Sequence, residues 1–265
     1  MFHNGMRIAR RWIGTSLTVA AATCLLTGNI ASIGDGLTPI RAQLDYMSTG
    51  SVVTGIFASV AFPFKPNMAV RWAEIEANSG KLAAEDCDGV AECRIRLSLL
   101  KDTTDSVQDL SLVRKITAIN TAINRLIDYR SDKDVYGVLD YWATPKEVLA
   151  SGKGDCEDFA ILKMAALREA GLPADSMALV VLRDSNRNFY HAVLAVSTSS
   201  NTYVLDNLRD AVLTDTQLPQ YQALYSLSMQ KAWVHGYKKG SEFAMQKRPK
   251  SLEAVQPGEG VRDPS

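Results

Sequence analysis

The apolar residues of this chain change their period at Pro173, and that change constrains the fold more than any other feature. Before it, Val107, Leu110, Val113, Ile116, Ile119, Ile123, Leu126 and Ile127 recur at three- and four-residue steps, the stripe of an amphipathic helix. The spacing predicts one helix over 106–130. A shorter helix is expected in "PNMAVRWAEIEANSG", and another from Pro145, a residue suited to a first helical turn. Asp155 then reads as the N-cap of a further helix, with Asp158 in the capping-box position. Phe159, Ile161, Leu162, Ala165, Ala166 and Leu167 form its apolar side, Gly171 closes it and Pro173 bars its continuation. After Pro173 the segments "MALVVL", "FYHAVLAV" and "TYVLD" read as strands, divided by the turns "DSNRN" and "STSSN". Such short turns imply an antiparallel meander. Helices first and strands afterwards predict an α+β domain, a helix packed on a sheet. The signal is weak over 211–222, and "YSLSMQKAWVHGY" offers one more strand.

With 265 residues, 46% of them hydrophobic, the chain can bury one good core, and the domain is expected at 61–240. Residues 32–60 hold no clear period and form a poorly defined N-terminal segment. The tail, 241–265, is polar and rich in Pro and Gly, and is expected to be unstructured. Lys plus Arg equals Asp plus Glu, 29 each. No net field therefore points to nucleic acid or to an anionic membrane.

At the other end, Arg7, Arg10 and Arg11 precede "WIGTSLTVAAATCLLTGNIA", an uncharged apolar run with small residues near Ala31 and Ser32. This is the pattern of a secretory signal peptide over 1–31 and predicts a periplasmic protein. The run approaches transmembrane length, so an uncleaved anchor is the alternative. A lipoprotein site at Cys24 fits less well, because "AATC" lacks a Leu three residues before the cysteine.

Loss of Cys24 leaves Cys87, Cys93 and Cys156. The first two flank the short polar loop "CDGVAEC", as a local disulfide would in an oxidising compartment. Closing so small a ring stabilises by roughly 2 kcal/mol in the chain-entropy view. A metal pair fits less well, since no second Cys/His pair completes a tetrahedral site.

Cys156 is the odd thiol, either buried and inert or kept for its reactivity. It lies within the first turn of a predicted helix, where free N–H groups and the positive end of the helix dipole lower a thiol's pKa. The same N–H groups suit an oxyanion. Gly152 and Gly154 before it permit a tight backbone approach. With His3 in the signal, two histidines remain to serve as a base. His191 lies on a predicted strand, sharing a face with Phe189, Val193 and Ala195. Asp206 ends the next strand, and a hairpin would set it beside His191. Either residue alone has a plain structural reading, a core histidine and a turn-forming acid. His235, in "WVHGY", is the rival base, with no obvious carboxylate nearby. No Gly-rich phosphate loop, H-E-x-x-H or G-x-S-x-G is present.

The segment "WATPKEVLASGKGDCEDFAILKMAALREAGLP", followed by "HAVLAV" and "VLDN", resembles the bacterial transglutaminase-like cysteine peptidases from Trp142 to Asn207. The resemblance implies a papain-like, transglutaminase-like α+β core with Cys156 as nucleophile, His191 as base and then acid, and Asp206 orienting His191. Its best-known members, the LapG-type enzymes, are periplasmic endopeptidases that clip large surface adhesins and so release biofilm cells. They require Ca²⁺, and position carries their ligands over to Asp155 and Glu157, with Asp158 as a third. Clustered carboxylates suit such a hard cation; helix capping is the plainer role for the same acids. The resemblance also implies a protein substrate and an inner-membrane cyclic-dinucleotide receptor that sequesters the enzyme. A transglutaminase or amidase passing the same acyl group to an amine is the alternative, and a non-catalytic binding module of the same fold is another.

Overall fold

The structure, a computed structural model, describes residues 53–64, 69–78, 82–83, 87, 89–229, 231–237, 252 and 255–258. The expected signal peptide and most of the segment over 32–60 lie outside the described residues. Among the described residues no helix is long and apolar enough to cross a membrane.

From residue 69 onward the elements broadly follow the predicted order, helices and then antiparallel strands, with two short strands ahead of them. Strands β1 (Val53–Thr54) and β2 (Val60–Pro63) precede helices α1 (Ala69–Asn78), α2 (Ala91–Ser106) and α3 (Leu112–Leu126). Next come β3 (Asp128–Tyr129), α4 (Asp132–Val135), α5 (Pro145–Ser151), β4 (Lys153–Gly154) and α6 (Cys156–Glu169). The remaining strands are β5 (Met177–Asp184), β6 (Phe189–Ser197), β7 (Thr202–Asp206), β8 (Arg209–Thr214), β9 (Tyr221–Ser228) and β10 (Lys231–Gly236). The main sheet runs β1-β2-β10-β9-β5-β6-β7-β8, every described pairing antiparallel. Strands β3 and β4 form a separate parallel pair beside the start of α6.

Three expectations change. The helix predicted over 106–130 is shorter, because α2 ends at Ser106 and α3 begins at Leu112. The apolar period runs on across this turn because buried Val107 joins the same core as Ile116, Ile119 and Ile123. Helix α2 itself escaped prediction: only Cys93, Leu97, Leu100 and Thr104 are buried on it, and Ile95 and Leu99 point outward to blur its stripe. The segment read as one last strand is a hairpin, β9 and β10.

The domain also reaches further at both ends than composition suggests. The sheet starts at Val53, ahead of the expected boundary at 61, and Phe57 is buried against Tyr221. Part of the tail, expected to be unstructured, is seated on the domain: Val255 and Pro257 are buried and the Gly258 N–H donates to the Tyr190 carbonyl at 3.1 Å. Apolar and hydrogen-bonded anchors thus override the tail's polar composition. Cys87 and Cys93 form the expected local disulfide.

Helix α6 is the central element. Every residue from Cys156 to Leu167 is buried, with the sheet on one side and α2, α3 and α5 on the other. A helix so enclosed has no polar face, so the charged residues on it need a reason. The opposite face of the sheet holds a smaller core of Val180, Leu182, Val193, Ala195, Val204, Tyr221 and Ala223. One irregularity bears on the site. Strand β6 pairs with β5 along its length, but with β7 only from Leu194 onward. The edge of β6 from Phe189 to Val193 is therefore left without β7 opposite it.

Candidate active site

Residues Asp155–Asp158 turn the chain from β4 into α6. Asp155 stands at the N-cap position, as predicted. Asp158 reaches back to accept from the Asp155 N–H at 3.3 Å and, through its other oxygen, from Ala143 N–H at 2.8 Å. A Cβ on Gly154 would meet the Asp158 side chain at 2.7 Å, so only glycine allows this close turn. Cys156, 1% exposed, donates its thiol hydrogen to Glu157 Oε2 at 3.1 Å. Burial, then the Glu157 and Asp155 carboxylates, push the thiol's pKa well up, while a hydrogen bond from the Ala192 backbone pulls the other way. The sulfur thus stands against the open edge of β6, at the residue following His191.

His191 and Asp206 meet as the hairpin geometry requires. His191 Nε2 lies 2.9 Å from Asp206 Oδ1, both side chains fully enclosed. The other imidazole nitrogen, Nδ1, is buried without a hydrogen-bond partner. Asp206 is held by more than the histidine. Tyr221 donates its hydroxyl to Oδ2 at 2.7 Å, and the Leu208 N–H donates to Oδ1 at 3.0 Å. Arg209 Nε stands 3.4 Å from Oδ2. Burial alone would raise the Asp206 carboxyl; its His191, Leu208 and Tyr221 partners hold it well below the usual carboxylate range. The Tyr221 ring also sits edge-on to His191, centroids 6.0 Å apart. His235 has neither arrangement, for its two nitrogens meet Ser59 Oγ at 2.7 Å and Ser226 Oγ at 2.8 Å.

A cluster of carboxylates lies beside the thiol. Oxygens of Asp132, Asp155 and Asp158 fall within 4.8 Å of one another, as do those of Asp132, Asp140 and Glu157. Asp155 Oδ1 and Glu157 Oε1 are buried with no hydrogen-bond partner. Burial pushes the Asp155 carboxyl up to about 8, with Asp132 and Asp140 adding to the push and a hydrogen bond to Glu157 opposing it. Burial, then the neighbouring Asp155, also raises Glu157 and Asp158. Orphaned buried oxygens in an all-oxygen donor set are what a hard divalent cation satisfies, so these residues fit one.

A sequence profile of the bacterial transglutaminase-like cysteine proteinases matches residues 85–239, more than half the chain and every residue of the Cys156, His191 and Asp206 constellation. The chain belongs to this family. It is a cysteine peptidase with a transglutaminase-like fold and hence a protein substrate. LapG of Legionella pneumophila is 25% identical over 60% of this chain and 87% of its own, with a TM-score of 0.51. The calcium-bound form of the same protein is 25% identical over 64% of this chain and 92% of its own, also at 0.51. No curated protein is a significant match.

In this peptidase the structure brings His191 and Asp206 together and sets Cys156 beside the strand that carries His191. Asp155 and Glu157 turn unsatisfied oxygens into the acid cluster, whereas Asp158 spends both of its oxygens on backbone N–H groups. Sequence reasoning missed Asp132, Asp140 and Tyr221. Asp132 had a faint signal, an acid after the Ser131 cap of α4. Tyr221 lay where the strand pattern was weakest and gave none.

Proposed function

We propose that this peptidase is an exported, calcium-dependent endopeptidase in which Cys156 is the nucleophile, His191 the general base and Asp206 the residue that orients it. The observation that carries this reading is the state of His191. One nitrogen is fixed on a buried carboxylate and the other is left unpartnered, and the backbone of the next residue, Ala192, meets the Cys156 sulfur. A buried, unsatisfied nitrogen is costly, and proton transfer is the use that repays it.

Cys156 Sγ attacks the scissile carbonyl carbon while His191 Nδ1 takes the thiol proton. The carbonyl π pair moves onto oxygen, and the Cys156 N–H at the start of α6 helps hold that oxyanion. As the oxyanion collapses the C–N bond breaks, and His191 returns the proton to the leaving amine. Water then attacks the thioester carbon, His191 takes its proton, and the C–S bond breaks to free the carboxylic acid and restore Cys156. Asp206 stays ionised throughout, stabilising the protonated imidazole and fixing its tautomer.

Asp155 and Glu157, with Asp132 and Asp140 around them and Asp158 holding the turn, would hold Ca²⁺. A bound dication there replaces the repulsion that raises the thiol's pKa with attraction. The existence of calcium-bound and EGTA-treated forms of the Legionella relative supports this choice of ion. The family resemblance further supports a signal peptide over 1–31, periplasmic action on a surface adhesin and sequestration by a cyclic-dinucleotide receptor.

Cys156→Ala is expected to lower cleavage of a candidate adhesin by at least about 10³-fold, as loss of a nucleophile does elsewhere, with the thermal melt preserved. Undiminished cleavage would overturn the nucleophile assignment. EGTA is expected to abolish activity, and added Ca²⁺ but not Mg²⁺ to restore it, because Mg²⁺ demands a smaller octahedral cage and keeps its waters. Restoration by both ions equally would remove calcium from the reading.

A further inference from the structure

We infer that the open edge of β6 is a peptide-docking edge and that the chain's own C-terminal residues 255–258 are its resident occupant. Where β7 parts from β6, the Tyr190 carbonyl has no strand partner on that side. Instead it accepts from Gly258 N–H at 3.1 Å. Along a strand the backbone groups of residues two apart face the same edge, so the Tyr190 carbonyl and the Ala192 N–H point the same way. The Ala192 N–H is the group that meets the Cys156 sulfur. The tail therefore lies on the strand edge that serves the thiol, one step along.

Three further contacts make this a seat rather than a chance touch. Val255 is 3% exposed and belongs to the main core with Cys156 and Tyr190. Pro257 is buried beside it. Gly258 adopts φ +84°, and a Cβ there would lie 2.9 Å from Asp155 Oδ2 and 3.5 Å from the Tyr129 hydroxyl. Only a glycine passes between the strand edge and the acid that begins α6. The family match ends at residue 239, so the segment lies outside the matched region.

A protein substrate that adds its backbone to this edge needs the carbonyl that Gly258 holds, in the manner of strand addition. Tail and substrate then exclude one another. With the tail seated, Cys156 and His191 are each 1% exposed, and its departure is what admits a scissile bond. This rests on Cys156 being the nucleophile, and the test separates the two ideas.

The test follows alkylation of Cys156 by iodoacetamide, located by peptide mapping, in three proteins: the full chain, a chain ending at Lys250, and Gly258→Val, which keeps the tail but cannot seat it. Both altered proteins are expected to label about tenfold faster or more, the reciprocal of the fraction of time the tail stands open. A synthetic peptide of residues 251–265 added to the shortened chain is expected to slow labelling again. Equal rates in all three, each unfolding cooperatively, would overturn the inference. If the shortened chain fails to fold, Gly258→Val decides it. Cleavage of a peptide substrate is measured alongside. Faster labelling with no cleavage by any form keeps the docked tail and removes the nucleophile assignment, whereas cleavage with unchanged labelling does the reverse.

Discussion

His191 and His235 are both buried on the same sheet, yet their ring nitrogens meet quite different partners. His235 on β10 faces hydroxyls at both ring nitrogens, Ser59 and Ser226. Ser59 donates its hydroxyl hydrogen to the Ile56 carbonyl and so accepts from the ring, while Ser226 can donate to the other nitrogen, which satisfies a neutral ring fully. Burial, with no carboxylate to oppose it, pushes its pKa down to about 4. His191 on β6 has a buried carboxylate at one nitrogen and nothing at the other. Burial is common to both, so burial does not select the base. In the proposed mechanism the carboxylate and the unused nitrogen do.

The largest expected effect separates the two rings directly. His191→Ala removes the proposed general base and is expected to lower kcat by about 10²- to 10⁴-fold, the usual worth of positioned proton transfer. His235→Ala is expected to leave the kcat of the folded protein near that of the parent and to lower its melting temperature, since two buried hydroxyls lose their partner. Turnover and thermal melts of the two variants check this. A catalytic loss confined to His235→Ala would reverse the assignment of the base.

How much of this contrast the sequence carried depends on range. The placement of Cys156, His191 and Asp206 was legible, because a cysteine at a capped helix start, a histidine on a strand and an aspartate closing the next strand are local patterns, and the hairpin joining β6 and β7 is short. The Cys87–Cys93 disulfide was legible for the same reason. Tyr221 was not, since it reaches Asp206 only through the long-range pairing of β9 with β5. Asp132 and Asp140 enter the acid cluster because the parallel β3–β4 pair folds that stretch of chain against the start of α6. The break between α2 and α3 was hidden because Val107 stays in the core across the turn. Ser59, which satisfies His235, stands on a turn with Phe57 and Ala58 at positive φ, where no periodicity exists to read.

The second effect is on stability and its pH dependence. His235 has an ordinary pKa near 6.5 and is pushed to about 4 in the folded protein. Between these values the unfolded chain binds the proton and the folded one does not, so stability falls as pH drops. The stabilisation is fully present above pH 6.5 and is lost progressively down to pH 4, about 3 kcal/mol in all. His235→Gln, which does not titrate, is expected to start less stable and to lose less between pH 7 and pH 4. Urea unfolding across that range measures it. Parallel curves for the two proteins would show that His235 is not the group being protonated.

The smallest effect sharpens what sets His191 apart. Tyr221 touches no reacting atom; it holds Asp206 Oδ2 through its hydroxyl and covers the edge of His191 with its ring. Tyr221→Phe keeps the ring and removes only the hydrogen bond, leaving Oδ2 with Arg209 Nε at 3.4 Å. A hydrogen bond to a charged group contributes about 1.5–3 kcal/mol. Part of that is recovered by Arg209 closing in, so about a tenfold fall in kcat is expected, with KM unchanged. The tyrosine hydroxyl is one of the groups that lower the Asp206 pKa. Its loss lets that carboxyl rise, and the acid limb of the kcat profile should move to higher pH. A variant that only loosened packing would lower the melting temperature and leave that limb where it was, so the direction in which the acid limb moves decides whether Tyr221 acts through the aspartate or merely fills space beside it.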